Sequence, residues 1–393
     1  MSDVIHQVSA IAMRTLLGLT ALMALAPDAR AQTPICDVAG VHVSVDFPAG
    51  GRHTCRVTDA GEIVLDVVPE GRPINSSPWY AFRLDATART RARIILDYGD
   101  QEHRYAPKVT RDGLSWASLP SRDVVVAGDE RRVTMNVRIE PGATFIAAQP
   151  IEIPAAVHAW ARATLAPHRF ERVEYGRSID GQPLIGYRGG EGADLVVAIT
   201  RQHPPETTGA VAFRAFVERV MSDAPEARAF RQRHRLLLAP MPNPDGVLRG
   251  HWRWNNGGMD LNRDWRLFAQ PETRALRDLI LTEAQNRRTI AFFDFHSTRR
   301  NVVYAPPLDA DAPTIDFLPL LRERLDRAVD HPLPWTYSHG ETGGTAKGWS
   351  LEALRAPGLT VELDDEATEA QAQRIGGATA DALMVYAAAR AAQ

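Results

Sequence analysis

Residues 201–207 read Arg-Gln-His-Pro-Pro-Glu-Thr and follow directly on Leu-Val-Val-Ala-Ile at 195–199. A short apolar run of this kind reads as a buried strand, so His203 and Glu206 stand three positions apart in the loop at its carboxyl end. Imidazole nitrogen and carboxylate oxygen are both good zinc donors, and a catalytic zinc takes three protein ligands while keeping a fourth position open. The third donor is expected at His296, which closes a second apolar run, Ile-Ala-Phe-Phe-Asp-Phe at 290–295, in the same strand-to-loop setting. His-x-x-Glu alone is weak, since a strand-end histidine satisfied by backbone groups gives the same text. The surrounding sequence has to decide.

Outward from this stretch, strands and amphipathic helices alternate after about His168. Buried strands are expected at 195–199, 235–239, 290–295, 302–305 and 359–363, and helices at 208–221, 271–285, 317–329 and 367–392. Gly376 and Gly377 lie inside the last helix and are expected to break it. This is the grammar of an α/β domain with a mixed sheet, in which ligands bind beyond the carboxyl ends of strands. Upstream, from about 41 to 141, short strand-like runs at 63–68, 79–84, 93–98 and 133–139 alternate with Gly, Pro and Asp clusters, which predicts a small antiparallel β-sandwich. Pro150-Ile-Glu-Ile-Pro154 is a Pro-bounded connector, followed by a helix at 155–165. The expected organisation is a leader at 1–31, a sandwich at 32–150, a linker at 151–167 and a catalytic domain at 168–393.

The leader is read from Met13-Arg14, the apolar stretch 16–26 and the small-residue end Ala29-Arg-Ala31. A positive start, an apolar core of about eleven residues and an Ala-x-Ala end fit a cleaved secretory signal better than a membrane span, which needs about 20 apolar residues. Met13 is then the expected first residue, and a secreted or periplasmic location follows, with no stable membrane insertion after cleavage. The chain has two cysteines, Cys36 and Cys55. In an oxidising compartment such a pair favours a disulfide, two buried thiols being the other reading. A length of 393 residues with 45% hydrophobic and 24% charged content suits roughly two globular domains. A net charge of −3 without a long Lys/Arg block argues against a nucleic-acid partner.

Between the two histidines lie Pro242-Asn-Pro-Asp-Gly246, His251-Trp-Arg-Trp254 and Gly258-Met-Asp-Leu-Asn-Arg-Asp-Trp265, and near the end stands Thr360-Val-Glu-Leu363. Together with His203-Pro-Pro-Glu206 and His296-Ser297, this ordered set resembles the zinc carboxypeptidases of the M14 family over most of 168–393. The sandwich ahead of it resembles the cytosolic carboxypeptidase branch. The resemblance implies one Zn2+ ion held by His203, Glu206 and His296, and a peptide as substrate. It makes Glu362 the general base, Arg253 the guanidinium that supports the developing oxyanion, with Arg249 competing for that role, and Asn262 and Arg263 the grip on the terminal carboxylate. Asp260 becomes the acid that orients a ligand imidazole, His203 being the expected one. The plain reading of Glu362 is a surface charge, but it follows the apolar Leu359-Thr-Val361 and precedes Asp364-Asp365, which read as the solvated acids, so its desolvation is expected. Without the resemblance Arg253 reads as a stacking arginine, and Asp260 and Arg263 as a buried ion pair.

Counting back from Glu362, Trp349 lies at the position of a tryptophan in the digestive members, which puts Lys347 where the terminal side chain is read. That register implies a preference for C-terminal Glu or Asp, against the plain reading of a solvent-facing loop lysine. The family's mobile tyrosine falls on Gly340, leaving Tyr337 or His339 as substitutes. His234, His251 and His331 are assigned no chemistry. Three other readings stay open: an aspartoacylase-like amidohydrolase, a peptidoglycan peptide hydrolase, and a peptide-binding module without turnover.

Overall fold

In β10 (Arg132–Ile139), Val133, Met135, Val137 and Ile139 are buried while Arg132, Asn136 and Arg138 are exposed, the period of two that one wet sheet face imposes. The computed structural model describes residues 35–72, 78–338 and 344–391; the expected leader at 1–31 lies outside them. Among the described residues no helix is long and apolar enough to cross a membrane. By contacts the chain forms two compact units, Met1–Trp160 with Gly246–Arg253, and Ala161–Asp245 with Trp254–Gln393.

The first unit contains β1 (Cys36–Val38), β2 (Val41–Ser44), β3 (Thr54–Val57), β4 (Ile63–Asp66), β5 (Ala81–Ala86), β6 (Thr90–Asp97), β7 (Lys108–Thr110), β8 (Ala117–Ser118), β9 (Val124–Val126), β10 and β11 (Gly142–Ala147). They form a six-stranded sheet in the order β1-β2-β5-β11-β7-β8 and a five-stranded sheet in the order β3-β4-β6-β10-β9. Phe82, Leu84 and Ile146 of the first and Leu65, Ile94, Leu96 and Met135 of the second belong to one buried cluster, so the two sheets face each other as a sandwich. The expected antiparallel sandwich is present, with one parallel pair within it. β4 and β6 run parallel, because β5 between them lies in the opposite sheet and the chain returns in the same direction. Cys36 and Cys55 form a disulfide that ties β1 to β3, one strand of each sheet.

Two features bear on the expected boundaries. The helix expected at 155–165, within the stretch 151–167, is α1 (Pro154–Leu165). Gly246–Arg253, inside the expected catalytic domain, packs with the sandwich. Leu248 accepts a hydrogen bond from the Ala49 N–H at 2.8 Å, and the Trp252 indole donates to the Tyr105 hydroxyl at 2.8 Å. Gly250, at φ +66, makes that approach possible, because a Cβ there would sit 2.6 Å from the Ala49 carbonyl oxygen.

The second unit is built on an eight-stranded sheet ordered β12-β13-β15-β14-β16-β19-β17-β18. Its strands are β12 (Glu171–Arg177), β13 (Pro183–Gly189), β14 (Asp194–Thr200), β15 (His234–Ala239), β16 (Arg288–Thr298), β17 (Val302–Ala305), β18 (Trp335–Tyr337) and β19 (Gly358–Asp364). The run β15-β14-β16-β19 is parallel throughout, whereas β13 meets β15 and β17 meets β19 antiparallel. The chain moves from β14 to β15 on one side and then crosses to β16 on the other. The carboxyl ends of β14 and β16 therefore flank a topological switch point, where open α/β sheets place their ligands.

Helices α2 (Thr207–Met221), α3 (Pro225–Arg233), α4 (Pro244–Arg249), α5 (Pro271–Ala284), α6 (Phe317–Ala328), α7 (Ala346–Leu354) and α8 (Glu369–Ala391) complete the chain. α8 is continuous through Gly376-Gly377, contrary to the expected break. Gly376 serves packing instead: a Cβ there would lie 2.0 Å from the Ala212 carbonyl oxygen of α2, so only glycine lets the two helices approach so closely. Core histidine His234 donates from Nδ1 to the Phe230 carbonyl at 3.0 Å and stacks on the Phe230 ring, in keeping with a packing role.

Candidate active site

Beyond β14 the chain turns at Arg201, a non-glycine residue with φ +62, and delivers His203 and Glu206 just ahead of α2. The start of α2 is held against the end of β16, with the Gly209 N–H donating to Ser297 Oγ at 2.9 Å. A Cβ on Gly209 would lie 2.4 Å from the His296 carbonyl oxygen, so the close approach of helix and ligand strand requires glycine there. His203, Glu206 and His296 are all buried, and one ligand atom from each lies within 4.8 Å of the others.

Hydrogen-bond distances fix which atoms face each other. His203 Nδ1 is 2.8 Å from Glu206 Oε1, and its Nε2 is 2.8 Å from Asp260 Oδ1. His296 Nδ1 is 2.6 Å from Glu206 Oε2, and its Nε2 is 2.8 Å from Asp294 Oδ2. Each imidazole thus stands between two carboxylates. With the Nε2–H groups donating outward to Asp260 and Asp294, the two Nδ1 atoms can meet Glu206 only if each carries a proton or shares a cation. One divalent ion in place of two protons leaves the net charge unchanged. Two neutral imidazoles and a carboxylate are a known catalytic zinc set, so the residues present fit the metal. The electrostatics agree. Burial opposes charge on both groups, yet the two imidazoles hold Glu206 well below the usual carboxylate range, and Asp294 and Glu206 hold His296 well above the usual imidazole range.

Parallel pairing of β16 with β19 sets His296 directly beside Glu362. Burial pushes Glu362 up to about 7, and its Oε2 is enclosed without a hydrogen-bond partner. A surface acid would show neither property. Asp260 is found on His203 as expected; it also caps the turn that follows by accepting from the Asn262 N–H at 2.9 Å. The alternative ion pair of Asp260 with Arg263 is not formed, because Arg263 is exposed and its Nη1 donates to the Asn262 carbonyl at 2.7 Å.

Asn262 is committed more deeply than a free carboxylate grip would be. Its Oδ1 accepts from the Ala346 N–H at 3.0 Å at the start of α7. Its Nδ2 lies 3.3 Å from His296 Nε2, a packing contact, since that Nε2–H already donates to Asp294. Lys347 is buried rather than solvent-facing. Its ammonium donates to the Ser338 carbonyl at 2.6 Å and to Ser338 Oγ at 3.3 Å, and desolvation brings it down to about 8. Trp349, two residues on, packs against Trp265 with ring centroids 5.1 Å apart.

One candidate is placed elsewhere. Tyr337 lies on edge strand β18, separated from β19 by β17, 37% exposed and stacked on Trp335; the structure does not bring it to the metal ligands. The other tyrosine substitutes, His339 and the register position Gly340, lie outside the described residues. Arg253 belongs to the first unit, where its N–H donates to Glu70 Oε1 at 2.7 Å and its guanidinium lies 5.8 Å from the Trp252 ring centre. Asp294 and Gln202 were absent from the candidate set. The signal for Asp294 was available: residues two apart on a strand share a face, and Asp-Phe-His at 294–296 puts a carboxylate on the side of the ligand. Gln202 had no such signal, because its partner Asp294 is 92 residues away.

Zinc carboxypeptidases of peptidase family M14 match residues 157–376, more than half of the chain. The chain belongs to the zinc carboxypeptidase family. Among its relatives is cytosolic carboxypeptidase 2 of Xenopus tropicalis, 34% identical over 116 residues. That match takes in 28% of this chain and 12% of the relative's length. The fold is shared with a metallo-carboxypeptidase from Burkholderia cenocepacia at TM-score 0.77 and 20% identity, covering 89% of this chain and all of that one. A metallo-carboxypeptidase from Pseudomonas aeruginosa gives TM-score 0.72 at 20% identity, with 88% and 99% covered.

Proposed function

We propose that this chain is an exported zinc carboxypeptidase that releases the last residue of a peptide, with a preference for acidic C-termini. The observation that carries the reading is the cross-strand pair His296–Glu362, which puts a raised carboxyl beside a buried His-Glu-His ligand set. A bound zinc supplies Lewis acidity to the scissile carbonyl and to water. His203, Glu206 and His296 hold the ion, and Asp260 keeps His203 turned towards it. Glu362 takes a proton from the attacking water and returns it to the leaving amine. A carboxyl already pushed to about 7 by burial is suited to both directions of that transfer near neutral pH. The exposed guanidinium of Arg263 meets the terminal carboxylate, a planar fork against a planar anion, and Asn262 supports that loop by its bond to α7. Arg253 is assigned to the oxyanion through its place in the His-Trp-Arg-Trp text.

The acidic preference is supported by Lys347, a buried amine whose ordinary hydration has been stripped and partly replaced by Ser338. Export is supported by the leader text and by the Cys36–Cys55 disulfide, since such bonds persist in oxidising compartments. The test is Glu362→Gln. It is expected to keep stoichiometric zinc, measured by metal analysis, and to lower kcat on C-terminal peptides by about 100-fold or more, within the range general-base catalysis supplies. Normal turnover in that variant removes Glu362 as the base. Scanning a peptide library by mass spectrometry, with and without a chelator, reads the substrate class directly.

A further inference from the structure

We propose that Asp294 is the carboxylate that sets His296 as a metal ligand, and that Gln202 holds that carboxylate in place. The inference rests on His203, Glu206 and His296 being the metal centre. Asp294 is fully buried, and its Oδ2 lies 2.8 Å from His296 Nε2. An acceptor there keeps the proton on Nε2 and leaves the Nδ1 lone pair directed at Glu206 and the ion. The same Oδ2 accepts from the Gln202 amide at 2.7 Å. Gln202 is itself fixed from two sides. Its Oε1 accepts from the Trp265 indole at 2.8 Å, and its carbonyl accepts from the Asn243 amide at 2.9 Å.

Asp294 is an expensive way to fill that position. Its Oδ1 is buried without a hydrogen-bond partner, an unmet desolvation that an asparagine or an apolar residue would reduce. What the carboxylate gains over those is charge at His296 Nε2, which makes the imidazole a stronger donor. Both ligand imidazoles are then backed by acids, His203 by Asp260 from the loop before α5 and His296 by Asp294 from its own strand. Strand geometry explains the second: Asp294 and His296, two apart in β16, lie on one face, so no loop is needed to bring the acid to the ligand. Asp294 and Gln202 act through His296 and are positioning residues.

The test uses the full chain, stripped of metal and reloaded. Asp294→Asn keeps an acceptor but loses the charge, and Asp294→Leu loses both. Competition with a chromogenic chelator is expected to show zinc affinity about 10-fold lower for the first and about 100-fold lower for the second. Gln202→Leu is expected to fall between wild type and Asp294→Asn. The visible absorption band of the cobalt-loaded protein is expected to shift in both Asp294 variants. Zinc affinity of Asp294→Asn within twofold of wild type overturns the proposal. So does a loss of affinity that tracks a fall in the metal-free Tm while the cobalt band stays unchanged, because Asp294 would then be a folding residue. If the wild-type protein itself takes up no zinc, it is the metal-centre reading that fails.

Discussion

Lys347 concentrates the specificity question in one atom. Its amine is buried, donates to the Ser338 carbonyl, and is brought down to about 8 by desolvation. Below that pH it is an ammonium and attracts an acidic side chain; above it the attraction is lost. The ratio of kcat/KM for Glu-terminated over Phe-terminated peptides is therefore expected to fall as pH rises through about 8, and a ratio that stays flat from pH 6.5 to about 9.5 removes Lys347 from the pocket. Lys347→Glu is expected to reverse the preference towards basic C-termini, by about tenfold or more if a desolvated charge pair is exchanged for a repulsive one. The change should appear in KM, since a group that reads the side chain touches ground state and transition state alike.

The site depends on how closely the elements approach, and two glycines of this chain separate packing from chemistry. Gly209 sits where the first turn of α2 meets the His296 carbonyl, and Gly376 where α8 meets the Ala212 carbonyl of α2. Backbone cannot move aside as a flexible side chain can, so Ala at either position is expected to destabilise by about 2 kcal/mol, read as a lower midpoint in urea. Their effects on the metal should differ. Gly209→Ala pushes on the ligand strand itself and is expected to weaken zinc binding measurably. Gly376→Ala lies away from the ligands and is expected to leave zinc affinity unchanged; an equal loss in both would mean that the site tracks global packing only.

Each unit of the whole molecule carries its own staple. In the first, the Cys36–Cys55 bond joins the two sheets of the sandwich across a sequence separation of 19. Replacing both cysteines by serine is expected to destabilise that unit by about 3 kcal/mol, as chain entropy predicts for a loop of this size, with a lower Tm under non-reducing conditions. In the second, His203 and Glu206 from the end of β14 and His296 from β16 bring three buried ligands together, and a metal bound only by the folded state stabilises it. Chelation is expected to lower the Tm, and at a free zinc concentration 1,000 times Kd the difference is about 4 kcal/mol. A Tm indifferent to chelator would contradict the metal centre.

By itself the sequence set His203, Glu206 and His296 at the ends of apolar runs as candidate metal ligands, because those runs read as buried strands. The roles of Glu362 and Asp260 were implied by the resemblance of the ordered motifs to the family, not by local spacing. The sequence also determined the parallel core of the catalytic unit, whose continuous apolar strands cannot face water. Only the tertiary structure decided what depends on contacts between distant residues. The 246–253 stretch joined the sandwich through Trp252 and Leu248, although the motif it carries lies within the catalytic text. α8 ran through its glycines because a facing helix needed the space. Lys347 turned inward, Tyr337 stayed on an edge strand, and Gln202 met Asp294 across 92 residues. Local propensity fixes which element a residue joins; burial and hydrogen bonding across the sheet fix what its side chain meets there.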